Sequence, residues 1–531
     1  MTPAELQGKA DMDSNRPGDS KGKRTFDRAS GILLHPTCLP GPYGIGEIGG
    51  AALGFIDSLA RAGQTLWQIL PINATGNNAS PYSATTTFAA NAIMIDMASL
   101  IEMGLLSEDE VNHLKDLPQV KVDFDVTIPA RMAVLMLAGT RLAARDDAGL
   151  AKFKAQHGAN WLYDYALFEA LSVSRGRQGW MYWPDDLRRR DPAALDQAHR
   201  ELASEIAAIT ALQYLFDVQW QAVRKYAASK NIMLIGDMAI FVAHDSADVW
   251  ARPDLFKLDE NFNPIVGAGV PPDYFSATGQ LWGNPIYDWA AMEKDGFKWW
   301  IARMARLLDF ADAVRLDHFR GFAACWETPA GETTAINGQW VDAPGDALFT
   351  AIITALPELK VIAEDLGHIT QDVHDLRDKF GFSGLKILEF EFGDGPPRED
   401  RHPRHYPTNS VTYPSTHDNN TVHGWFLNDG READERAQDA PREAAAALEL
   451  LGGDGGDIHW RMIELALSSG SDLTIIALQD VLGLDGPTGR MNTPGTITDN
   501  WNWRFAESEF TEDAINRLAD LTRLYNRTAT C

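Results

Sequence analysis

Cysteine is scarce in this chain of 531 residues, which contains three: Cys38, Cys325 and Cys531. An odd and sparse set supplies neither a disulfide framework nor a cysteine-rich metal site. The first residues are polar and lack the apolar core of a secretory signal, so we expect residues 1–30 to form a flexible N-terminal tail. Together these features favour a reducing, cytoplasmic environment.

Long apolar runs and positive charge are also in short supply. No run approaches the ~18 consecutive apolar residues of a membrane-spanning helix. The 47 Lys and Arg residues are outnumbered by 74 Asp and Glu residues, which gives a formal net charge of −27. Such a surface repels the phosphates of nucleic acids and the head groups of anionic membranes. We therefore expect neither nucleic acid nor a membrane as a partner.

Signals for a cofactor or a metal are weak. Gly44, Gly46 and Gly49 form a GxGxxG pattern, but no strand ends at the first glycine and no acidic residue closes the next apolar run, as a dinucleotide site requires. The histidines are scattered, without an HExxH motif or cysteine partners, so the spacing that identifies a zinc site is missing. The sequence predicts no cofactor and no metal.

Tryptophan, in contrast, is plentiful, with 16 residues, many beside polar residues or glycine. Aromatic faces bury the apolar faces of sugar rings. The abundance of tryptophan therefore favours a sugar ligand. The support is weak, because tryptophan is also a common core residue.

Eight short apolar runs predict the strands of one sheet. Their continuous apolar character is typical of strands covered on both faces, and helical patterns separate most of them. Alternation of about eight strands with helices predicts a (β/α)8 TIM barrel within residues 31–531. The runs are residues 31–36, 65–72, 232–242, 311–319, 360–367, 385–392, 410–418 and 472–480.

The uneven spacing of the runs predicts two insertions in the barrel. Residues 73–231 are too many for a loop and carry amphipathic helical patterns, so we interpret them as a mainly helical inserted subdomain. Residues 244–290 are rich in glycine, proline and aromatic residues and form the second insertion. We expect both at the C-terminal face of the barrel, with no separate C-terminal β-sandwich domain.

Charged residues stand where several predicted strands end, which is where barrel enzymes carry their active groups. In "DAVRLDHFRG" (312–321), Arg315 and Asp317 share one face of a strand, and the arginine keeps the aspartate ionised. Taken alone, such a pair is more often a structural ion pair, and single acids at strand ends often cap helices. As a set they predict the two carboxylates of a retaining glycosidase-type reaction. The other members are Asp237, Glu364, Asp365, His417, Asp418 and Asp480.

Three motifs give the sequence a family resemblance. "VRLDHFRGF", "IAEDLG" and "STHDNNT" resemble motifs of 4-α-glucanotransferases of the amylomaltase, or disproportionating-enzyme, type in the α-amylase clan, and the resemblance spans residues 31–504. It implies that Asp317 is the nucleophile, Glu364 the general acid/base and Asp418 the third catalytic carboxylate. It also implies substrate-binding roles for Arg315, His417 and Asp237.

The resemblance extends to loops that contact substrate. Residues 268–289 resemble the loop over the acceptor sites, which makes residues 244–290 an acceptor-side insertion, and "NASPYS" resembles a donor-side loop. The implied partners are α-1,4-glucans and maltooligosaccharides, with no oligomeric state indicated. The further substrate-binding residues implied are Ser80, Tyr82, Tyr274, Phe275, Trp282 and Asp394.

Departures from the family pattern leave cleft shape and acceptor preference unpredicted. Ala239 stands where the family usually has proline, and residues 71–75 and 85–93 differ from the usual loops. The reaction expected is transfer of a glucan segment to the 4-hydroxyl of an acceptor, through a covalent glycosyl-enzyme. A hydrolase and a non-catalytic glucan-binding protein are the alternatives. Because all three carboxylates are present, an enzyme is favoured.

Overall fold

The computed structural model describes residues 25–76, 79–272, 276–429 and 439–528. Eight strands form a parallel sheet in the order β10-β11-β12-β1-β2-β3-β6-β9, and four form an antiparallel sheet in the order β5-β4-β7-β8. The strands are β1 (Ala29–Leu33), β2 (Leu66–Gln68), β3 (Met233–Met238), β4 (Val266–Val270), β5 (Gln280–Pro285), β6 (Ala313–Leu316), β7 (Ala324–Pro329), β8 (Gln339–Asp342), β9 (Val361–Ala363), β10 (Gly384–Ile387), β11 (Ser410–Tyr413) and β12 (Leu473–Ala477).

The parallel sheet closes on itself. Its two outer strands, β9 and β10, meet through a parallel bridge between Ile362 and Ser383, and the amide of Ala363 donates to the carbonyl of Ser383 at 2.8 Å. Each of the eight strands lies within, or within two residues of, one of the predicted apolar runs. The predicted (β/α)8 barrel is confirmed.

Twenty α-helices account for much of the described chain outside the strands. Several begin at a polar N-cap whose side chain accepts an otherwise unpaired amide, such as Asp96, Asp147, Ser246, Asp288 and Thr511. The α-helices are α1 (Gly50–Arg61), α2 (Met97–Glu102), α3 (Glu108–Val111), α4 (Phe124–Ala143), α5 (Ala148–His157), α6 (Tyr163–Ser174), α7 (Asp185–Arg188), α8 (Pro192–Glu201), α9 (Ala203–Ser229), α10 (Ala247–Ala251), α11 (Trp289–Lys294), α12 (Lys298–Leu308), α13 (Gly345–Ala355), α14 (Gln371–Lys379), α15 (Val422–Leu427), α16 (Ala440–Leu451), α17 (Ile458–Leu467), α18 (Leu478–Val481), α19 (Gly486–Gly489) and α20 (Glu512–Leu524).

The barrel helices alternate with the strands. Helix α1 follows β1, and α9, α12, α13, α14 and α17 each precede the next barrel strand. Between β10 and β11, a part of the chain that is described throughout, short 3-10 turns replace an α-helix. Asp394 lies in this irregular segment and is exposed.

Helices α2 to α9 lie between β2 and β3. The long helix α9 also belongs to the barrel layer, since the buried Trp220 donates its indole N–H to the carbonyl of Phe310 at 2.8 Å. Among the described residues α4 alone is long and apolar enough to cross a bilayer by length and composition. In this fold α4 is a packed element, because its fully buried Arg131 pairs with Glu47 at 2.8 Å.

The antiparallel sheet was not predicted. Strands β4 and β5 come from the second insertion, and β7 and β8 come from residues 324–342, after β6. The run "VGAGV" in β4 hides its strand character, because glycine is depleted in strands. Pairing with β7, some 60 residues away along the chain, supplies the order that local propensity does not.

Most tryptophans are core residues, so their number reflects packing and adds no support of its own for a sugar ligand. Five of them are fully buried: Trp67, Trp180, Trp220, Trp250 and Trp300. All 16 lie in the described ranges, and of these Trp282 alone is exposed, at 40%.

The described chain is ordered before the predicted end of the tail. Phe26 is buried in the core, and the guanidinium of Arg28 donates to the carbonyls of Leu467 and Ser471. Strand β1 begins at Ala29. Residues 1–24, most of the predicted tail, lie outside the described residues.

Gly31 provides a test of barrel closure. A Cβ added there would lie 2.3 Å from the carbonyl oxygen of Leu66 on β2, so Gly31→Ala should force the strands apart and cost about 1–3 kcal/mol of unfolding free energy. The matched control is Gly54→Ala in α1, where nothing lies within 4 Å and alanine should stabilise by up to about 1 kcal/mol. Equal denaturation midpoints for the two variants in urea would show that β1 and β2 have room for a side chain at position 31.

Candidate active site

Arg315 lies at the centre of a charged cluster at the C-terminal ends of β3, β6 and β9. Strand register places Asp237 directly beside it, and its Nη1 lies 2.8 and 2.7 Å from the two oxygens of that carboxylate. Its Nη2 lies 3.2 Å from Oδ1 of Asp317 and 3.8 Å from Oε2 of Glu364. One buried guanidinium therefore holds three carboxyl groups from three strands.

Main-chain hydrogen bonds fix Asp317 and Glu364 at the rim. The amide of Asp317 donates to the carbonyl of Met238, and that of Glu364 to the carbonyl of Leu316, each at 3.0 Å. Their side chains stay partly open, at 24% and 16% exposure. Both carboxyl groups can thus reach a ligand in the cleft.

The pKa values of both acids are raised. Burial is the largest cause in each case, and the positive charge of Arg315 opposes it. Asp237 raises the pKa of Asp317 further, and Asp317 does the same for Glu364. Glu364 thus favours the protonated form, and Arg315 keeps Asp317 the more readily ionised of the two, which is the assignment needed for an acid and a nucleophile.

Asp418 is held from both sides. Its Oδ2 lies 3.3 Å from Nε2 of His417, and its Oδ1 accepts from the side-chain Nδ2 of Asn492 at 2.7 Å. Desolvation in the cleft raises the pKa of the carboxyl. His417, Asn492 and the charge of Arg315 lower it more, so the pKa falls below the usual value. Asp418 is therefore ionised and, at 45% exposure, able to accept bonds from hydroxyl groups.

Tyr82 connects the groups around Arg315 with His417 and its neighbour Asp418. Its hydroxyl donates to Oδ2 of Asp237 at 2.8 Å and lies 2.8 Å from Nε2 of His417, and its ring stacks on the imidazole at 5.2 Å. Ser80 orders this turn, since its Oγ accepts from the amide of Tyr82 at 3.2 Å. The predicted donor-side pair thus lies against the charged cluster.

The remaining predicted residues differ in their placement. Trp282, on β5, meets the imidazole of His318 edge-on at 4.9 Å, beside Asp317. Asp394 is exposed on the irregular chain after β10, outside the hydrogen-bonded cluster. Tyr274 and Phe275 lie outside the described residues.

Two of the acids at strand ends serve the scaffold. Asp365 pairs with Arg377 and accepts from the amide of Leu385 at 2.8 Å, which ties β9 to β10. Asp480 accepts from the hydroxyl of Ser415 at 2.5 Å and from the amide of Val422 at 2.8 Å. It therefore clamps both ends of the loop that carries His417 and Asp418.

Asn492 was missed as a site residue. It opens the sequence "NTPGTITDNWNWR" (492–504), far from the other motifs, and an asparagine followed by threonine and proline is typical of a turn. No local pattern shows that its amide reaches a carboxylate 74 positions earlier. Within the described ranges no group of three metal-ligating side chains converges.

A closed parallel barrel with several carboxyl groups, an arginine and a histidine converging on one rim defines an enzyme that performs acid–base chemistry on a ligand in the cleft. Residues 34–509 match the family model described as 4-alpha-glucanotransferase. The chain belongs to this 4-α-glucanotransferase family, so it is a glycosyltransferase.

Individual relatives agree over nearly the whole chain. The 4-alpha-glucanotransferase of Synechocystis sp. is 43% identical over 507 residues, covering 94% of this chain and 98% of that protein. That of Streptococcus pneumoniae is 42% identical over 502 residues, with 94% and 97% covered. A solved amylomaltase from Streptococcus agalactiae in complex with acarbose superposes with a TM-score of 0.88 at 36% identity, covering 94% of this chain and all of that one.

The clamp formed by Asp480 can be tested by removing each side of it. Asp480→Ala leaves the buried amide of Val422 and the hydroxyl of Ser415 unpaired and frees the Asp418 loop. We expect kcat to fall roughly tenfold or more. Ser415→Ala, which removes one contact, should cost less. Steady-state kinetics at temperatures where both variants remain folded would measure this, and a larger loss in Ser415→Ala would exclude Asp480 as the anchor.

Proposed function

We propose that this enzyme moves a segment of an α-1,4-glucan to the 4-hydroxyl of glucose or a maltooligosaccharide, with Asp317 as nucleophile and Glu364 as general acid/base. The observation that carries the proposal is the bridge of Arg315 between these two carboxyl groups, at 3.2 and 3.8 Å. Because the guanidinium lies nearer to Asp317, it favours the ionised form of that carboxyl more strongly than the ionised form of Glu364. One ionised and one protonated acid side by side are what a double displacement requires.

The two half-reactions follow from these protonation states. Glu364 gives its proton to the glycosidic oxygen while the carboxylate of Asp317 attacks the anomeric carbon, which releases the first part of the donor. The ionised Glu364 then takes the proton of the acceptor hydroxyl, whose oxygen displaces Asp317. Two displacements retain the anomeric configuration.

The surrounding groups are proposed to bind the sugar beside the cleaved bond. Ionised Asp418 and its neighbour His417 would accept and donate hydrogen bonds to ring hydroxyls. Asp237 and Tyr82 would support them through Arg315 and His417, to which they are hydrogen-bonded. The other substrate contacts proposed on family resemblance are Ser80, Tyr274, Phe275, Trp282 and Asp394.

Hydrolysis is the second candidate, because water can attack the same covalent intermediate. The antiparallel sheet of β4, β5, β7 and β8 favours transfer. It brings Trp282 against His318 beside the nucleophile, where an exposed indole offers an acceptor sugar a stacking surface and narrows the path of water. A glucan-binding protein without turnover would not need a carboxyl group with a raised pKa beside an ionised one.

We also propose a cytoplasmic enzyme of maltodextrin and glycogen or starch metabolism. The composition supports this, and both cysteines in the described residues, Cys38 and Cys325, are buried and unpaired. Such thiols persist in a reducing compartment.

Incubation with maltotriose separates the three functions, and Asp317→Asn tests the nucleophile. Transfer should give glucose together with longer maltooligosaccharides, whereas hydrolysis gives shorter sugars alone and a binding protein gives no products. Asp317→Asn keeps the shape of the side chain but cannot form the glycosyl ester, so turnover should fall by several orders of magnitude while glucan binding persists.

Asp146→Asn, on an exposed loop, is the matched control and should behave as wild type. Product chromatography and isothermal calorimetry measure the two effects. Near-normal turnover of Asp317→Asn would show that another group is the nucleophile.

The dependence of kcat/KM on pH should be bell-shaped. Activity rises as the Asp317 carboxyl ionises and falls as the Glu364 carboxyl loses its proton. Because both pKa values are raised, both limbs should lie above the usual ranges of free aspartate and glutamate. Glu364→Gln should remove the alkaline limb together with most of the activity. An alkaline limb that survives in this variant would assign the acid to another group.

A further inference from the structure

The turn that follows the proposed nucleophile has an unusual backbone. His318 adopts φ 45° and ψ 55°, the left-handed conformation, and a 3-10 turn, Phe319–Phe322, comes next. Non-glycine residues seldom take positive φ, and such residues cluster where a site over-determines the backbone. Neither the nucleophile nor the acid/base role by itself requires this backbone conformation at residue 318.

The left-handed residue aims two successive main-chain amides at Glu364. The N–H of His318 donates to Oε2 of the carboxyl at 2.5 Å, and the N–H of Phe319 donates to the carbonyl oxygen of Glu364 at 3.0 Å. The side chain and the main chain of Glu364 are thus both held by the turn after β6.

We propose that the main-chain N–H of His318 is a positioning group that keeps Oε2 of Glu364 free of a proton, so that the acid carries its proton on Oε1. The inference rests on the proposed function. Oε2 faces the N–H of His318 and Nη2 of Arg315, and both are donors. A proton on Oε2 would compete with them, whereas a carboxyl protonated on Oε1 keeps both contacts and directs its single O–H elsewhere.

The side chain at position 318 fits this backbone role. Histidine is one of the residues that tolerate the left-handed region, as asparagine does, while β-branched residues are genuine outliers there. The imidazole lies perpendicular to the indole of Trp282 and close to Gly321, where an added Cβ would lie 3.3 Å from the imidazole Cδ2. Burial lowers the imidazole pKa to about 4, with a further effect of Arg320, so the ring adds no charge to the site at neutral pH.

Four substitutions separate the backbone from the side chain: His318→Asn, His318→Gly, His318→Ala and His318→Val. All remove the imidazole and its contact with Trp282, so they share any change in KM for the acceptor. They differ in the cost of positive φ, which is low for asparagine and glycine and high for alanine and valine. We expect kcat of the valine and alanine variants to be roughly tenfold below that of the asparagine and glycine variants.

The pH profile provides the readout that a structural defect would not move. Glu364 is faced by Arg315, Asp317 and Asp418, which all four variants retain. An N–H donor favours the ionised carboxylate, so losing it raises the pKa of Glu364. The alkaline limb of kcat should therefore move to higher pH in the alanine and valine variants and stay with the wild type in the asparagine and glycine variants.

Two outcomes would overturn the inference. One is an alkaline limb that is the same in all four variants. The other is a limb that shifts in all four and equally in Trp282→Ala, which would assign the effect to the imidazole contact. Thermal midpoints establish that each variant is folded at the assay temperature. Asp317→Asn separates a failure of this inference from a failure of the proposed function. If Asp317→Asn is inactive while the alkaline limb is the same in all four His318 variants, only the role of His318 is rejected.

Discussion

The buried charge of Arg315 is the constraint around which the site is arranged. A guanidinium that is 6% exposed loses most of its hydration, and this cost is offset only by close, well-oriented anions. Asp237 supplies the tightest contact, and Asp317 and Glu364 share the remaining face. With more carboxyl groups than cations in the cluster, repulsion favours retention of a proton on one acid. Glu364, the less exposed of the two bridged acids and the farther from Arg315, is the group on which that proton resides most readily.

The closed barrel is what brings these charged groups together. In a closed parallel sheet all C-terminal strand ends meet at one rim, and the register of β3 with β6 sets Asp237 beside Arg315. The same scaffold adds fixed supports outside the cluster. Asp480 clamps the loop of Asp418, Asp365 ties β9 to β10, and Asn492 reaches Asp418 from a distant segment. Several groups at the rim therefore help to hold the loops and strands that carry the cluster.

Prediction from the sequence succeeded where the signal was local. The barrel strands were recognisable because strands covered on both faces are continuous apolar runs, and the candidate acids were found because they follow those runs directly. It failed where long-range contacts decide. The antiparallel sheet contains glycine-rich β4, whose order comes from pairing with β7.

The barrel, the positions of Arg315, Asp317, Glu364 and Asp418 at the ends of its strands, and the family membership could all be predicted from the amino-acid sequence. Periodicity and strand-end chemistry are local properties of the chain, so they can be read without coordinates. The three-dimensional fold was needed to show which acids converge on Arg315 and which, like Asp365 and Asp480, anchor loops. The fold also shows that the backbone of His318 turns toward Glu364. These outcomes depend on distances between segments far apart in sequence, which are set by packing and strand register and leave no local pattern.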